Sequence, residues 1–171
     1  MASGCIIRPA QPADLFVLQS IEDDAGRAFE AVGYGDILDG PGRSPADAAR
    51  AMDEAILLIA EGDDGPIGFA MVWLVDARPH LAELSVCLDE QGRGIGRELV
   101  SAAEAWARAT GHTDMTLTTF VFVPWNAPWY ARLGFEAFTP RADRPELAAI
   151  CAHEASDPLG RFGRTAMRKR L

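Results

Sequence analysis

The segment Gln91-Gly92-Arg93-Gly94-Ile95-Gly96 stands between an apolar run with strand patterning, Leu81 to Leu88, and a long amphipathic run with helical patterning. Glycines at three alternate positions clear the side chains from a loop that feeds directly into a helix start. Backbone N–H groups there converge on one anion, and the helix aims the positive end of its dipole at the same place. A strand, loop and helix of this kind form a site for a phosphate or pyrophosphate. Two well-known phosphate loops fail the spacing test. A Walker loop ends in Gly-Lys-Ser/Thr, and the sole lysine of this chain is Lys169. A dinucleotide fingerprint needs G-x-G-x-x-G and an acid about 20 residues on. Here the third glycine comes one residue early, and Asp114 precedes the next strand instead of ending it.

At 171 residues the chain is expected to form a single domain with a substantial core. No apolar stretch reaches the ~18 residues of a membrane span, and the start Met1-Ala-Ser-Gly-Cys5 lacks the basic and apolar regions of a signal peptide. The expectation is a soluble, cytoplasmic protein. Cys5, Cys87 and Cys151 are odd in number and widely spaced, which argues against a disulfide framework and against a paired-cysteine zinc site. A formal net charge of -9 disfavours nucleic acid and anionic membranes and favours a cationic substrate.

Along the chain, Ile6-Ile7-Arg8 reads as a first strand, and Asp14 as the cap of a helix carrying Leu15, Leu18, Ile21 and Ala25. The glycine- and proline-rich stretch from Gly33 to Pro45 reads as a loop. Ser44-Pro45-Ala46-Asp47 opens a short second helix. Leu57–Ala60 and Ile67–Val75 read as an antiparallel hairpin turning at Gly62–Gly65, and Pro79 as a break before the strand Leu81–Leu88. Ile95, Leu99, Ala103 and Trp106 mark one face of a helix that Gly111 stops. A strand over Met115–Val123, a short helix over Ala127–Leu133 and a strand over Gly134–Phe138 follow. A helical stretch over Glu146–Ala155 and an edge strand over Thr165–Arg168 complete a mixed α/β order.

The spacing Q-x-x-G-x-G at Gln91–Gly96 resembles the pyrophosphate loop of the GNAT N-acetyltransferase family, Q/R-x-x-G-x-G/A, and Leu81–Val100 as a whole resembles that family's signature strand, loop and helix. Downstream, Tyr130-Ala-Arg132-Leu-Gly134-Phe135 is similar to the family's Y-x-K/R-x-G-F. The resemblance implies one acetyltransferase domain over residues 1–171. It implies a mostly antiparallel central sheet flanked by helices, with a splayed pair of parallel strands holding acetyl-CoA. The implied reaction moves the acetyl group to a primary amine, and the acidity of the chain points to a small cationic one. A protein lysine or N-terminal acetyltransferase and a non-catalytic acyl-CoA sensor are the alternatives, and a homodimer is left open. By the resemblance, Leu84, Ser85 and Val86 pair with the pantetheine amides, and Gln91, Gly92, Arg93, Gly94, Ile95, Gly96 and Arg97 hold the pyrophosphate.

Several side chains then carry two readings. Alternation places Glu83, Ser85 and Cys87 on the strand face opposite Leu84, Val86 and Leu88. Glu83 is either the partner of an arginine from a neighbouring helix or, as for the family's acid on this strand, the base that takes the substrate's ammonium proton. Tyr130, with a phenol pKa of about 10, suits protonation of a departing thiolate, the role of the family's tyrosine. The family's asparagine seven residues before it is Val123 here, and Asn126 is the candidate replacement. Trp125 and Trp129 are loop anchors or walls of a substrate pocket. Cys87 has no histidine at a partner position, so a small buried side chain is favoured over an acyl carrier. His80 at a turn, His112 after a helix end and His153 in the late helix have no metal-ligand spacing, and no metal is expected. Glu22, Glu30 and Asp36 read mostly as a solvated face, or as carboxylates drawing a cationic amine to the acceptor side.

Overall fold

The computed structural model describes residues 4–35, 42–157, 160 and 162–171. Its strands are β1 (Ile6–Pro9), β2 (Ile56–Gly62), β3 (Gly65–Val75), β4 (Arg78–Val86), β5 (Asp114–Phe120), β6 (Glu136–Phe138) and β7 (Arg164–Arg170). The α-helices are α1 (Leu18–Gly26), α2 (Pro45–Glu54), α3 (Ile95–Ala109), α4 (Ala127–Arg132) and α5 (Pro145–Ser156). Hydrogen bonding orders the strands β1-β2-β3-β4-β5-β7-β6 in one mostly antiparallel sheet. The exception is parallel: β4 meets β5 at His80↔Thr116 and Leu81↔Leu117. The chain divides into two compact units, Met1–Trp73 with Ala82–Trp106, and Leu74–Leu81 with Ala107–Leu171.

In the first unit the β2–β3 hairpin forms as its turn chemistry predicts, with Leu57 opposite Met71 and Ile59 opposite Phe69. These four side chains form one core with Leu18 and Ile21 of α1 and Ala48 and Ala51 of α2. Leu58, Ala60, Ala70 and Val72, on the other face, are also buried. Burial on both faces explains why the two strands read as continuous apolar runs without alternation. Helix α2 begins as its sequence dictates: the Ser44 hydroxyl accepts the Asp47 N–H at 3.2 Å, and the Asp47 carboxylate accepts the Ser44 N–H at 2.9 Å.

Asp14 does not cap α1. It lies inside a 3-10 turn, Pro12–Phe16, that precedes the helix. Its buried carboxylate accepts the Gln11 N–H at 2.6 Å and pairs with Arg8 at 2.8 Å, and those bonds hold it below the usual carboxylate range. The acid therefore locks the turn to β1.

Three expectations in the second unit are corrected. Pro79 does not end anything; it is the second residue of β4, just past a turn and one residue ahead of His80, where the pairing with β5 begins. The turn is Asp76-Ala77, with φ of 53° and 55°, the left-handed pair that a two-residue hairpin loop requires. Asp76 tolerates it because its carboxylate caps α5, accepting the Glu146 and Leu147 N–H groups at 2.9 and 3.0 Å, while the Asp76 N–H donates to the Glu146 carboxylate at 2.8 Å. His80 is accordingly not at a turn but buried within β4, its Nδ1 2.9 Å from the Thr116 hydroxyl. Finally, β7 is no edge strand: it lies between β5 and β6, antiparallel to both, with Arg168 opposite Thr116 on one side and Glu136 on the other.

Candidate active site

In the first unit, the strand, loop and helix unit forms as the glycine pattern predicts. Beyond Val86 the chain makes a short 3-10 turn, Leu88–Glu90, then the loop, then α3. Gly92 and Gly94 have φ of +77° and +92°, so the backbone itself demands glycine at both. A Cβ on either would meet nothing within 4 Å, which leaves the loop's surface open to a ligand. Gly96 is already within α3, and Ile95 is buried, so Ile95 offers an anion only its backbone. The loop is anchored from three sides. The Gln91 side chain donates to Val86 O at 2.9 Å, the Leu88 N–H donates to the Asp24 carboxylate of α1 at 2.8 Å, and the Cys87 N–H donates to Ile67 O at 2.9 Å. Arg93 is paired with Glu90 and exposed, and Arg97 is exposed on the first turn of α3. Close approach of β3 to β4 also requires a glycine, since a Cβ at Gly68 would lie 2.9 Å from Ser85 O.

Glu83 is half-buried and faces Arg43, its Oε2 3.5 Å from Arg43 Nε, and it accepts a hydrogen bond from buried Ser85 at 3.3 Å. Arg43 comes from the segment before α2, not from a helix. Its guanidinium donates to Ala82 O at 2.8 Å and lies 5.0 Å from the Trp73 ring centroid. Its backbone N–H donates to the Glu22 carboxylate at 3.1 Å. Glu22 is thus not on a solvated face. Burial, and next the charge of Glu83, push its carboxyl up to about 7. It borders a cavity of ≈ 20 Å³ with Leu15, Leu18, Arg43, Phe69 and Met71 in the wall. The sequence carried a signal for this: Glu22 follows Leu18 by four residues and adjoins Ile21, both buried. Glu30 is exposed, and Asp36 lies outside the described residues. Leu84 and Val86 are half-buried. Burial and the Asp24 carboxylate push the Cys87 thiol up, which disfavours the thiolate an acyl carrier needs.

In the second unit, Tyr130 is buried on α4, its ring edge-on to Trp129 at 4.9 Å and to Phe135 at 5.7 Å. Val123 is 1% exposed and fills the core, so its side chain reaches no ligand. The turn it opens brings Asn126 to the start of α4, where Asn126 O accepts the Tyr130 N–H at 2.9 Å. The Asn126 amide oxygen accepts from the Thr119 hydroxyl at 2.7 Å, and its buried Nδ2 has no hydrogen-bond partner among the described residues. A buried donor left unpaired is costly and suits a ligand carbonyl. Trp125 is exposed.

The fold is that of the N-acetyltransferases. It superposes on the PaiA N-acetyltransferase of Thermoplasma acidophilum, solved with coenzyme A, with a TM-score of 0.71 at 16% identity, covering 99% of this chain and 100% of that one. A GCN5-related N-acetyltransferase from Rhodopseudomonas palustris gives 0.64 at 24% identity over 100% and 98%. N-acetylglutamate synthase of Neisseria gonorrhoeae, solved with coenzyme A and N-acetyl-glutamate, gives 0.71 at 19% identity over 100% of this chain and 36% of that one. The sequence profile of the acetyltransferase (GNAT) domain matches residues 53–137, the span that contains the glycine loop and Tyr130. The chain belongs to the GNAT acetyltransferase family.

Proposed function

We propose that this protein, working as one domain over residues 1–171, transfers the acetyl group of acetyl-CoA to the primary amine of a small cationic acceptor. The observation that carries the reading is the open loop with left-handed Gly92 and Gly94 at the start of α3, inside the matched GNAT span. Amides from Gly92 to Arg97 bind the pyrophosphate there. The backbone of Leu84–Val86 pairs with the pantetheine amides, and the unpaired Nδ2 of Asn126 takes over the contact that Val123 cannot make.

Acetyl-CoA supplies an activated carbonyl and a thiolate leaving group. A carboxylate of the Glu22–Glu83–Arg43 cluster takes the ammonium proton, and Tyr130 protonates the thiolate. Two carboxylates held by one arginine leave a net negative charge, which supports a cationic acceptor. The unbridged thiols of Cys87 and Cys151 fit a cytoplasmic enzyme. No helix among the described residues is long and apolar enough to cross a membrane. Thiol release from acetyl-CoA across polyamines, arylalkylamines, aminoglycosides, amino acids and peptides tests the reading. It expects turnover with small cationic amines, falling as salt is added; preference for anionic acceptors refutes the substrate class.

A further inference from the structure

Both Glu22 and Glu83 lie against Arg43, but Arg43 treats them differently. Its guanidinium pairs with Glu83 at 3.5 Å and is itself fixed by Ala82 O and the Trp73 ring. Among the described residues, Glu22 receives only the backbone N–H of Arg43, at 3.1 Å. That bond fixes one oxygen of Glu22, Oε2, and leaves the other to a further partner. Glu22 is also the acid in the wall of the ≈ 20 Å³ cavity, a volume that holds about one water. Gln19, Arg43 and Ser44 supply further polar groups in that wall.

We propose that Glu22, not Glu83, is the base that accepts the acceptor's ammonium proton, and that Glu83 and Arg43 are positioning residues that set its charge and orientation. The proposal rests on the acetyltransferase reading. A base works best when its pKa lies near the operating pH, and burial and Glu83 push Glu22 up to about 7. Among the described residues, the charged groups acting on it are Glu83 from β4, Arg43 from the segment before α2, and Asp23 beside it on α1; Phe69 and Met71 of β3 present apolar surface.

The proton count closes. The ammonium gives its first proton to Glu22, and the freed nitrogen lone pair attacks the thioester carbonyl. The C–N bond forms, the C–S bond breaks, and Tyr130 protonates the departing sulfur. The second nitrogen proton restores Tyr130, and Glu22 releases its own to solvent.

The test is the pH profile of turnover with the best amine of the panel, measured on wild type, Glu22→Gln and Glu83→Gln, with acetyl-CoA calorimetry as the check on folding. Wild type should show a limb near pH 7. Glu22→Gln should bind acetyl-CoA normally, lose the limb, and fall roughly 10²–10⁴-fold at pH 7, with a deficit that shrinks as pH rises. Glu83→Gln should keep the limb, moved to lower pH because a like charge is gone, and lose far less. Carbon NMR titration of the Glu22 carboxyl in wild type and Glu83→Gln reads the same shift without turnover. An active wild type whose limb survives in Glu22→Gln but vanishes in Glu83→Gln overturns the proposal alone. A wild type that releases no thiol with any amine overturns the acetyltransferase reading and the proposal with it.

Discussion

Replacing Glu22 by Gln should stabilise the protein at neutral and alkaline pH, although it removes the residue proposed as the base. Glu22 ionises at 4.5 in its ordinary setting and at about 7 in the folded protein. Between those values the native state binds more protons than the unfolded chain, so stability falls as pH rises through the interval. The contribution is fully present below about pH 4.5 and is lost above about pH 7. At ~1.4 kcal/mol per pKa unit the shift corresponds to ~3 kcal/mol, and the partial exposure of Glu22 to solvent reduces this to ~1–2 kcal/mol. Gln keeps the acceptor for the Arg43 N–H and carries no charge to desolvate. Urea unfolding of both proteins from pH 4 to 9 should therefore give a stability difference that grows by ~1–2 kcal/mol in favour of Glu22→Gln and then levels off. A difference that stays flat with pH, or one that moves toward wild type, refutes the reasoning. A stabilised but inactive variant is the usual signature of a strained functional group.

Gly94→Glu places a side chain and a negative charge in the glycine loop proposed to hold the pyrophosphate, and calorimetry should show acetyl-CoA binding abolished in a folded protein; unchanged affinity contradicts that proposal. Gly94→Ala meets no neighbour, so its loss, ~1–2 kcal/mol by urea unfolding, should come from the +92° φ alone. Asp76→Ala removes the cap of α5 and leaves an alanine at φ 53°, and should cost ~1–2 kcal/mol, with faster amide exchange in the first turn of that helix. Tyr130→Phe should bind acetyl-CoA as wild type does yet turn over slowly at every pH, since neutral amine does not replace a proton donor to sulfur; relief at high pH would count against that role.

What the sequence disclosed follows from how locally each feature is determined. The form of the glycine loop was legible because closely spaced glycines before an amphipathic run mark a tight entry into a helix, and Gly92 and Gly94 adopt the left-handed conformations that glycine allows. The Ser44–Asp47 cap and the Gly62–Gly65 turn are equally local. The Asp76-Ala77 turn was hidden because its support comes from Glu146 and Leu147, about seventy residues on. The Arg43 cluster was hidden for the same reason. Arg43 sits in a stretch whose composition announces only a loop, while its partners Glu22 and Glu83 belong to α1 and β4. Strand order is likewise non-local, which is why β7 read as an edge. Val123 and Asn126 could be marked as a departure from the family pattern, but not that the first would fill the core while the second presents a buried amide.

The central claim, that a cationic amine receives the acetyl group, is tested most directly by incubating wild type with carbon-labelled acetyl-CoA and the amine panel and locating the label by mass spectrometry. The prediction is labelled acetyl on the nitrogen of a small cationic amine, one thiol released per acetyl transferred, and no covalent label on Cys87. A protein that binds acetyl-CoA at the glycine loop but leaves every amine unlabelled would contradict the claim and make the chain an acyl-CoA sensor.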